Sequence, residues 1–249
     1  MTTEHPLGIQ LYSVRDDIGP ARLDGTLARL AGMGFTHVEP YDILSDPAGL
    51  AAALRRSGLR AATAHAAINR LDQKAVLDAA ELLGIKTVIV PMVDPKTIAD
   101  RAGVEALAAA VNGAAALAAE RGIRVGYHNH DFEFAQHVDG VPVYDLFVSL
   151  LDPAVVLEVD VYWASVGGAD VFELLPRLGD RVRFLHVVQD REPGNDRPVL
   201  GVDITGRLRE ILALGTSVEM PVVEVVAHHS DVFPLVESNA AYFRKQVNA

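Results

Sequence analysis

The sequence predicts a single domain of the α/β class, folded as a closed (β/α)8 barrel over residues 1–249. A short β-branched run, a polar turn and an Ala/Leu-rich amphipathic stretch recur about every 30 residues, which is typical of βα units around a parallel sheet. The length of 249 residues is that of one such barrel. The turn after the first strand, QLYSVRDD, lacks the glycines of an open nucleotide-binding sheet. These observations favour a TIM barrel over a doubly wound sheet.

Eight apolar runs predict the strands of this barrel. In chain order they are Leu7–Tyr12, Thr36–Pro40, Arg60–His65, Thr87–Pro91, Arg124–His128, Val155–Asp160, Val182–Val187 and Val222–Val226. The amphipathic stretches between them predict helices that begin near Leu23, Pro47, Gln73, Pro95, Val143, Asp170, Thr205 and Asp231. Four glycine-containing segments, GMGF, SGLR, LGIK and RGIR, are typical of left-handed helix ends before a strand. The longest predicted loop covers 189–205, and no linker or second domain is indicated.

Composition excludes several classes of protein. Half of the residues are hydrophobic, which is enough for a sizeable core. There is no cysteine, so disulfides, thiolate nucleophiles and cysteine-based zinc sites are excluded. The net charge of −11 disfavours a nucleic-acid partner. The N-terminus lacks the features of a signal peptide and no apolar run reaches membrane-spanning length, so we expect a cytoplasmic protein without a membrane partner, whose homo-oligomeric state stays open.

Polar side chains stand at the ends of the predicted strands, where (β/α)8 barrels carry their active sites. They are Gln10, Ser13, Glu39, His65, His128, Asn129, His130, Glu133, Glu158, Asp160, Trp163, His186 and Glu224. Several of them lie inside apolar runs, and the two-residue period of a strand sends Glu158 and Asp160 to one face. Carboxylates are rarely buried without a partner, and a divalent cation would supply one. Carboxylate and imidazole ligands suit Mn²⁺, Mg²⁺, Co²⁺ or Zn²⁺.

The sequence resembles the xylose isomerase-like barrels, the sugar phosphate isomerase/epimerase-like family, over nearly its whole length. The segments that carry the resemblance are GIQLYSVRDD, GMGFTHVEP, YHNHDFEF, LEVDVYWASVGGAD, RFLHVVQD and VVEVV. The resemblance implies one metal ion held by side chains from strands 5, 6, 7 and 8. In the ketose epimerases of this family those side chains are Glu, Asp, His and Glu.

Carried over residue by residue, the resemblance implies Asp160, His186 and Glu224 as metal ligands. Strand 5 offers His128 where the epimerases have a glutamate, and His130 or Glu133 would replace it if the register differs. A second departure is the strand-7 sequence His-Val-Val-Gln, which lacks the lysine of the family pattern H-x-K-D. These departures bear on the reaction rather than on the fold.

A histidine on strand 5 leaves Glu224 as the clear carboxylate base, with His128 as a ligand or a second base. The metal would stabilise an enediolate next to the substrate carbonyl. Isomerisation or epimerisation of a small keto-sugar or polyol is the first hypothesis, and a dehydratase or other β-eliminating lyase acting on a keto-sugar or inosose is the alternative. An unpaired buried Glu224 would have a raised pKa, which a nearby cation would lower toward the working pH.

We assign substrate binding to Gln10, Glu39, His65, Trp163 and Arg191. His65 equally suits a packed core histidine, Glu39 a salt bridge at the rim, and Trp163 either the core or an apolar wall for a sugar ring. The loops lack the glycine-rich phosphate site of many barrels, which favours a neutral or carboxylated carbohydrate over a sugar phosphate.

Three other interpretations stay open. The acidic and histidine side chains would form a buried ion network if no metal binds. Glu158 lies one layer below Asp160, so we expect it to support Asp160 rather than to ligate the metal. A phosphodiester hydrolase of the abasic-site endonuclease type shares this fold, but it needs about three metals and a basic groove. A non-catalytic sugar-binding barrel would have lost its metal.

Overall fold

The chain folds as a nearly closed barrel of parallel strands in a computed structural model that describes residues 6–187, 207–215, 217–225 and 231–247. The barrel strands are β1 (Gly8–Gln10), β2 (His37–Glu39), β3 (Arg60–Ala61 and Thr63–His65), β4 (Thr87–Val90), β5 (Arg124–His128), β6 (Val156–Asp160), β7 (Val182–Val187) and β8 (Met220–Val223). Every neighbouring pair is parallel, and β8 pairs with β1, with Gly8 opposite Val222. The predicted (β/α)8 architecture is therefore confirmed.

The third strand is interrupted where the sequence predicted one continuous run. Its first segment pairs with β2 and its second with β4, so the ladder breaks at Ala62. The backbone N–H of His65 donates to the carbonyl of Pro40 at 2.8 Å and bridges this seam. The last strand begins two residues earlier than predicted and ends at Val223, so Glu224 lies just beyond it.

Ten α-helices are described, most of them on the outside of the barrel. They are α1 (Leu23–Gly32), α2 (Pro47–Ser57), α3 (Gln73–Leu83), α4 (Arg101–Ala119), α5 (Phe132–Ala135), α6 (Val143–Leu150), α7 (Val161–Val166), α8 (Val171–Leu178), α9 (Leu208–Leu214) and α10 (Phe233–Val247). The helix predicted at Pro95 begins as a 3₁₀ turn, Pro95–Ile98. The helix predicted from near Thr205 is described as α9 from Leu208, and Thr205 itself lies outside the described residues. A small hairpin joins His137–Val138 to Val141–Pro142.

The helix ends follow the sequence signals. Asp46, Asp72 and Asp100 each accept a hydrogen bond from a backbone N–H of the first turn that follows. Each of the four predicted helix ends has one glycine with positive φ, between 66° and 89°: Gly34, Gly58, Gly84 and Gly122. Local sequence therefore determines where each outer helix stops and the next strand begins.

The barrel interior has two layers of different chemistry. Its apolar layer consists of Ile89, Val156, Phe184, Met220 and Val222, all buried. Alternate residues of a strand face the same side, so the next inward positions on β6, β7 and after β8 are polar. A layer of buried polar side chains above the apolar layer is the expected position of an active site in this barrel.

Helix α4 is long and apolar enough, by length and composition alone, to cross a membrane. In the structure its buried positions include Val104, Val111 and Ala118. Asn112 binds the carbonyl of Leu150 at the end of α6. This helix therefore has the contacts of a core helix of the barrel.

Candidate active site

A cluster of buried polar side chains fills the barrel at the C-terminal ends of its strands. It comprises Gln10, Glu39, His65, His128, Glu158, Asp160, His186 and Glu224, with exposed fractions of 0–7%. They come from β1, β2, β3, β5, β6 and β7 and from the residue after β8. The barrel thus brings together side chains from separate strands that are up to 214 positions apart in the sequence.

His186 lies at the centre of this cluster. Its Nε2 is 2.9 Å from Glu39 Oε1 and 3.1 Å from Glu158 Oε2, and its Nδ1 is 3.1 Å from Glu224 Oε2. Burial lowers the pKa of His186, but the carboxylates of Glu158 and Glu39 outweigh burial and raise it well above its ordinary value. Without metal the ring is therefore an imidazolium that donates from both nitrogens.

Glu158 has a larger part in the cluster than the sequence indicated. Its Oε2 is 2.7 Å from His65 Nε2, 3.1 Å from His186 Nε2 and 3.3 Å from His128 Nδ1. Burial raises the pKa of Glu158, but the histidines outweigh burial and hold it well below its ordinary value. Three imidazoles around one oxygen make Glu158 a candidate ligand as well as a neighbour of Asp160.

Asp160 combines a structural role with an unsatisfied oxygen. Its Oδ1 accepts the backbone N–H of Trp163 at 2.8 Å and caps α7, whereas its buried Oδ2 has no hydrogen-bond partner among the described residues. The side chain of Asn129 binds both the backbone N–H and the carbonyl of Asp160, at 3.0 and 3.1 Å. Burial raises the pKa of Asp160 to about 8. A cation beside Oδ2 would satisfy this oxygen and its charge.

The structure distinguishes the strand-5 candidates. His128 is buried, and its Nδ1 makes no hydrogen bond despite its contact with Glu158. Burial, and then the charge of His186, lower the pKa of His128, so its ring is neutral at pH 7. Glu133 instead accepts the hydroxyl of Tyr127 and the backbone N–H of His130, both at 2.8 Å. The geometry thus places His128 in the cluster and gives Glu133 the role of shaping the loop.

The predicted substrate residues differ in their positions. Gln10 donates to Glu39 at 2.8 Å, and both side chains are completely buried in the cluster. His65 Nε2 lies 3.0 Å from Glu39 Oε1. Burial lowers the pKa of His65, but the charges of Glu39 and Glu158 outweigh burial and raise this pKa to about 10. The half-buried Trp163 lies with its ring 6.3 Å from that of His130. Arg191, like His228 and His229, lies outside the described residues.

Glu224 is ionised more readily than the sequence argument expected. Burial raises its pKa, but the hydrogen bond from His186 and its charge lower the pKa to about 2. Its exposed fraction is 7%, against 0% for Glu39, Glu158 and Asp160. Within the described part of the cluster, Glu224 is thus the carboxylate that solvent reaches most easily.

Two overlapping sets of side chains have the spacing of a metal site. The upper group consists of His128, Asp160, His186 and Glu224, the four residues named from the sequence as candidate ligands. The lower group consists of His65, His128, Glu158 and His186. Within each group the four ligand atoms lie within 4.8 Å of one another. Ligands at 2.0–2.3 Å on opposite sides of one ion are at most about 4.6 Å apart, so the 4.8 Å limit is close to the spacing of a single-cation site.

Comparison with known protein families finds a match over most of the chain. A profile of the xylose isomerase-like TIM barrel family matches residues 27–246. No curated protein matches the chain.

Solved structures resemble the fold over almost its whole length. A sugar phosphate isomerase/epimerase from Parabacteroides distasonis ATCC 8503 superimposes with a TM-score of 0.83 at 22% identity, over 99% of this chain and 95% of that one. The 3-keto-D-glucoside 4-epimerase of E. coli gives 0.72 at 17% identity, over 97% and 100%. A xylose isomerase-like barrel protein from Mycobacterium smegmatis, in complex with magnesium, gives 0.68 at 15% identity, over 99% and 97%.

Proposed function

The chain belongs to the xylose isomerase-like TIM barrel family, and we propose that it is a metal-dependent enzyme that isomerises or epimerises a small keto-sugar or polyol. The observation that carries this proposal is the spacing of the upper group, in which two carboxylates and two imidazoles offer ligand atoms within 4.8 Å of one another. The buried Asp160 Oδ2 in this group lacks any partner among the described atoms. A divalent cation would fit the two carboxylates and two imidazoles of the upper group.

The upper group would hold Mn²⁺, Mg²⁺, Co²⁺ or Zn²⁺ through His128, Asp160, His186 and Glu224. Once bound, such an ion is a Lewis acid that stabilises the negative charge of an enediolate. Asn129 fixes the backbone of Asp160, and the cap on α7 fixes its Oδ1. Asp160 is therefore held in place before any ion arrives.

Glu224 acts as the general base in this proposal. As a carboxylate it is ionised at neutral pH, which is the form that accepts a proton. It stands just beyond β8, at the rim of the barrel, and keeps a small exposed fraction. Glu224 thus takes the proton from the carbon next to the substrate carbonyl.

His128 has the second position beside the substrate. Its lowered pKa leaves a neutral imidazole, which is able to ligate a cation or to accept a proton. A neutral histidine in place of a second carboxylate favours proton abstraction from one face only. Gln10, Glu39 and His65 support the site from below, Trp163 provides an apolar wall, and Arg191 is proposed as a substrate contact.

Solvent exchange of the substrate α-proton tests the assignment of the base. We expect Glu224→Gln to slow this exchange by roughly 10²–10⁴ while leaving the fold intact. His128→Gln should slow it less if His128 is a ligand. Glu237→Gln, the same change on the exposed face of α10, is the matched control. Exchange that persists in Glu224→Gln and disappears in His128→Gln would place the base on β5.

Metal uptake tests whether the protein is an enzyme of this kind at all. Metal-free purified protein that takes up no divalent cation would instead favour a non-catalytic sugar-binding barrel.

The neutral His128 also favours a second candidate, a dehydratase or other β-eliminating lyase. Removal of one α-proton leads equally to an enediolate and to loss of a β-hydroxyl, so one base serves both reactions. Mass spectrometry separates them, because elimination gives a product lighter by one water whereas isomerisation conserves mass.

A further inference from the structure

We propose that the lower group is a second cation position that prefers Zn²⁺ and excludes an ion from the upper group. The lower position rests on its own contacts, whereas its competition with the upper position rests on the proposed function. The lower group comprises His65, His128, Glu158 and His186, all of them buried. Only His128 and His186 belong to both groups.

The distances in the lower group are close to those of a tetrahedral zinc site. Zinc–ligand bonds of 2.0–2.1 Å place neighbouring ligand atoms about 3.3–3.4 Å apart. Glu158 Oε2 is 2.7, 3.1 and 3.3 Å from the nitrogens of His65, His186 and His128. Shifts of about 0.6 Å or less along these contacts therefore make room for the ion.

The chemistry of the lower group differs from that of the upper group. Three imidazoles and one carboxylate suit Zn²⁺, while the two carboxylates of the upper group suit harder ions such as Mn²⁺ and Mg²⁺. Glu39 Oε1 lies 3.0 and 2.9 Å from the Nε2 atoms of His65 and His186. The negative charges of Glu39 and Glu158 together balance the two positive charges of a divalent ion.

Unsatisfied atoms are a second, independent indication of a ligand. His128 Nδ1 is buried and makes no hydrogen bond, although it lies 3.3 Å from Glu158 Oε2. Glu158 Oε1 and Glu39 Oε2 are likewise buried without a partner among the described residues. Buried polar atoms of this kind usually have a hydrogen-bond partner or a metal.

Occupancy of the two positions is mutually exclusive because they share two rings. A neutral imidazole has one lone pair, so it ligates one ion at a time. His186 faces Glu158 with Nε2 and Glu224 with Nδ1, and an ion on one side fixes the proton on the other. An ion beside the completely buried Glu158 has no access to substrate, so zinc-loaded protein should not exchange substrate protons.

Metal affinities of matched variants test this inference. Glu158→Gln alters only the lower group and Asp160→Asn only the upper group, and Glu237→Gln is the surface control. We expect Glu158→Gln to weaken Zn²⁺ binding roughly 100-fold, the share of one ligand in a four-ligand site, and to leave Mn²⁺ binding within about threefold. Asp160→Asn should do the reverse. Competition with a chelator dye measures both constants.

Anomalous diffraction at the zinc edge gives a readout that needs no variant. A zinc peak within about 2.3 Å of Glu158 in wild-type crystals supports the lower position. A peak on Asp160 and Glu224, or Zn²⁺ affinity unchanged in Glu158→Gln, overturns it. Unchanged Mn²⁺ affinity in Asp160→Asn overturns the proposed catalytic site instead, so the two failures are distinguishable.

Discussion

At neutral pH, Asp160 should stabilise the protein only when a metal is bound. Its carboxyl is completely buried, and one oxygen has no partner among the described residues. Burial raises its pKa from 3.8 to about 8, so the fold favours the protonated acid over the carboxylate. In the metal-free protein the resulting contribution to stability is present below pH 3.8 and is lost as the pH rises toward 8.

The substitution Asp160→Asn removes this penalty. The pKa shift corresponds to about 4 kcal/mol of lost stability at pH 7. The asparagine oxygen still caps α7 at Trp163, but its amide nitrogen replaces an oxygen that lacks a partner, which costs about 1–3 kcal/mol. We therefore expect the variant to be more stable than the wild type by about 1–3 kcal/mol in the absence of metal.

Urea denaturation in EDTA and in saturating Mn²⁺, at pH 4.5 and 7.5, measures the effect. The gain should appear in EDTA at about pH 7.5, shrink or vanish near pH 4.5, and reverse in Mn²⁺ because the variant has lost a ligand. Asp170→Asn is the matched control, since Asp170 caps α8 at Phe172 in the same way but is exposed. A variant that is less stable than the wild type in EDTA at about pH 7.5 would refute the reasoning.

Three further predictions concern neighbouring features. Metal binding to the upper group should release one proton from His186, whose pKa is raised, and a second from Asp160, whose pKa is raised to about 8. Apparent affinity should therefore increase up to about a hundredfold per pH unit near neutrality. Calorimetry in buffers of different ionisation enthalpy detects this, and no buffer dependence would contradict it. Asn129→Ala should weaken Mn²⁺ binding about 10–100-fold by releasing the backbone of Asp160, and unchanged affinity would show that this clamp is dispensable. Gly167→Ala should destabilise the protein by about 1–3 kcal/mol, because its Cβ would lie 2.3 Å from a backbone oxygen. Gly113→Ala, at an exposed position of α4, should instead stabilise the protein by about 0.5–1 kcal/mol, and equal effects in thermal melts would refute the steric argument.

The linear pattern of residues was sufficient for the barrel and for part of the site. Strand periodicity placed Glu158 and Asp160 on one face, and apolar neighbours marked His186 and Glu224 as inward-facing. Glycine signals located the helix ends that positive φ values confirm. These features depend on residues close together in the chain, which is why local patterns predict them.

Contacts across the barrel depended on the tertiary structure. Periodicity tells which face a side chain occupies, but the stagger of the strands determines which side chains meet at one height. Thus Glu158 was expected to support Asp160, yet its oxygen lies among three imidazoles. Glu39 was predicted as a substrate contact, with a rim salt bridge as the alternative, and it contacts His65 and His186 inside the barrel. The break at Ala62 and the bond between Glu133 and Tyr127 likewise depend on neighbouring segments. Because a pKa is determined by the charges within a few ångströms, the protonation states of this cluster follow from the folded geometry alone.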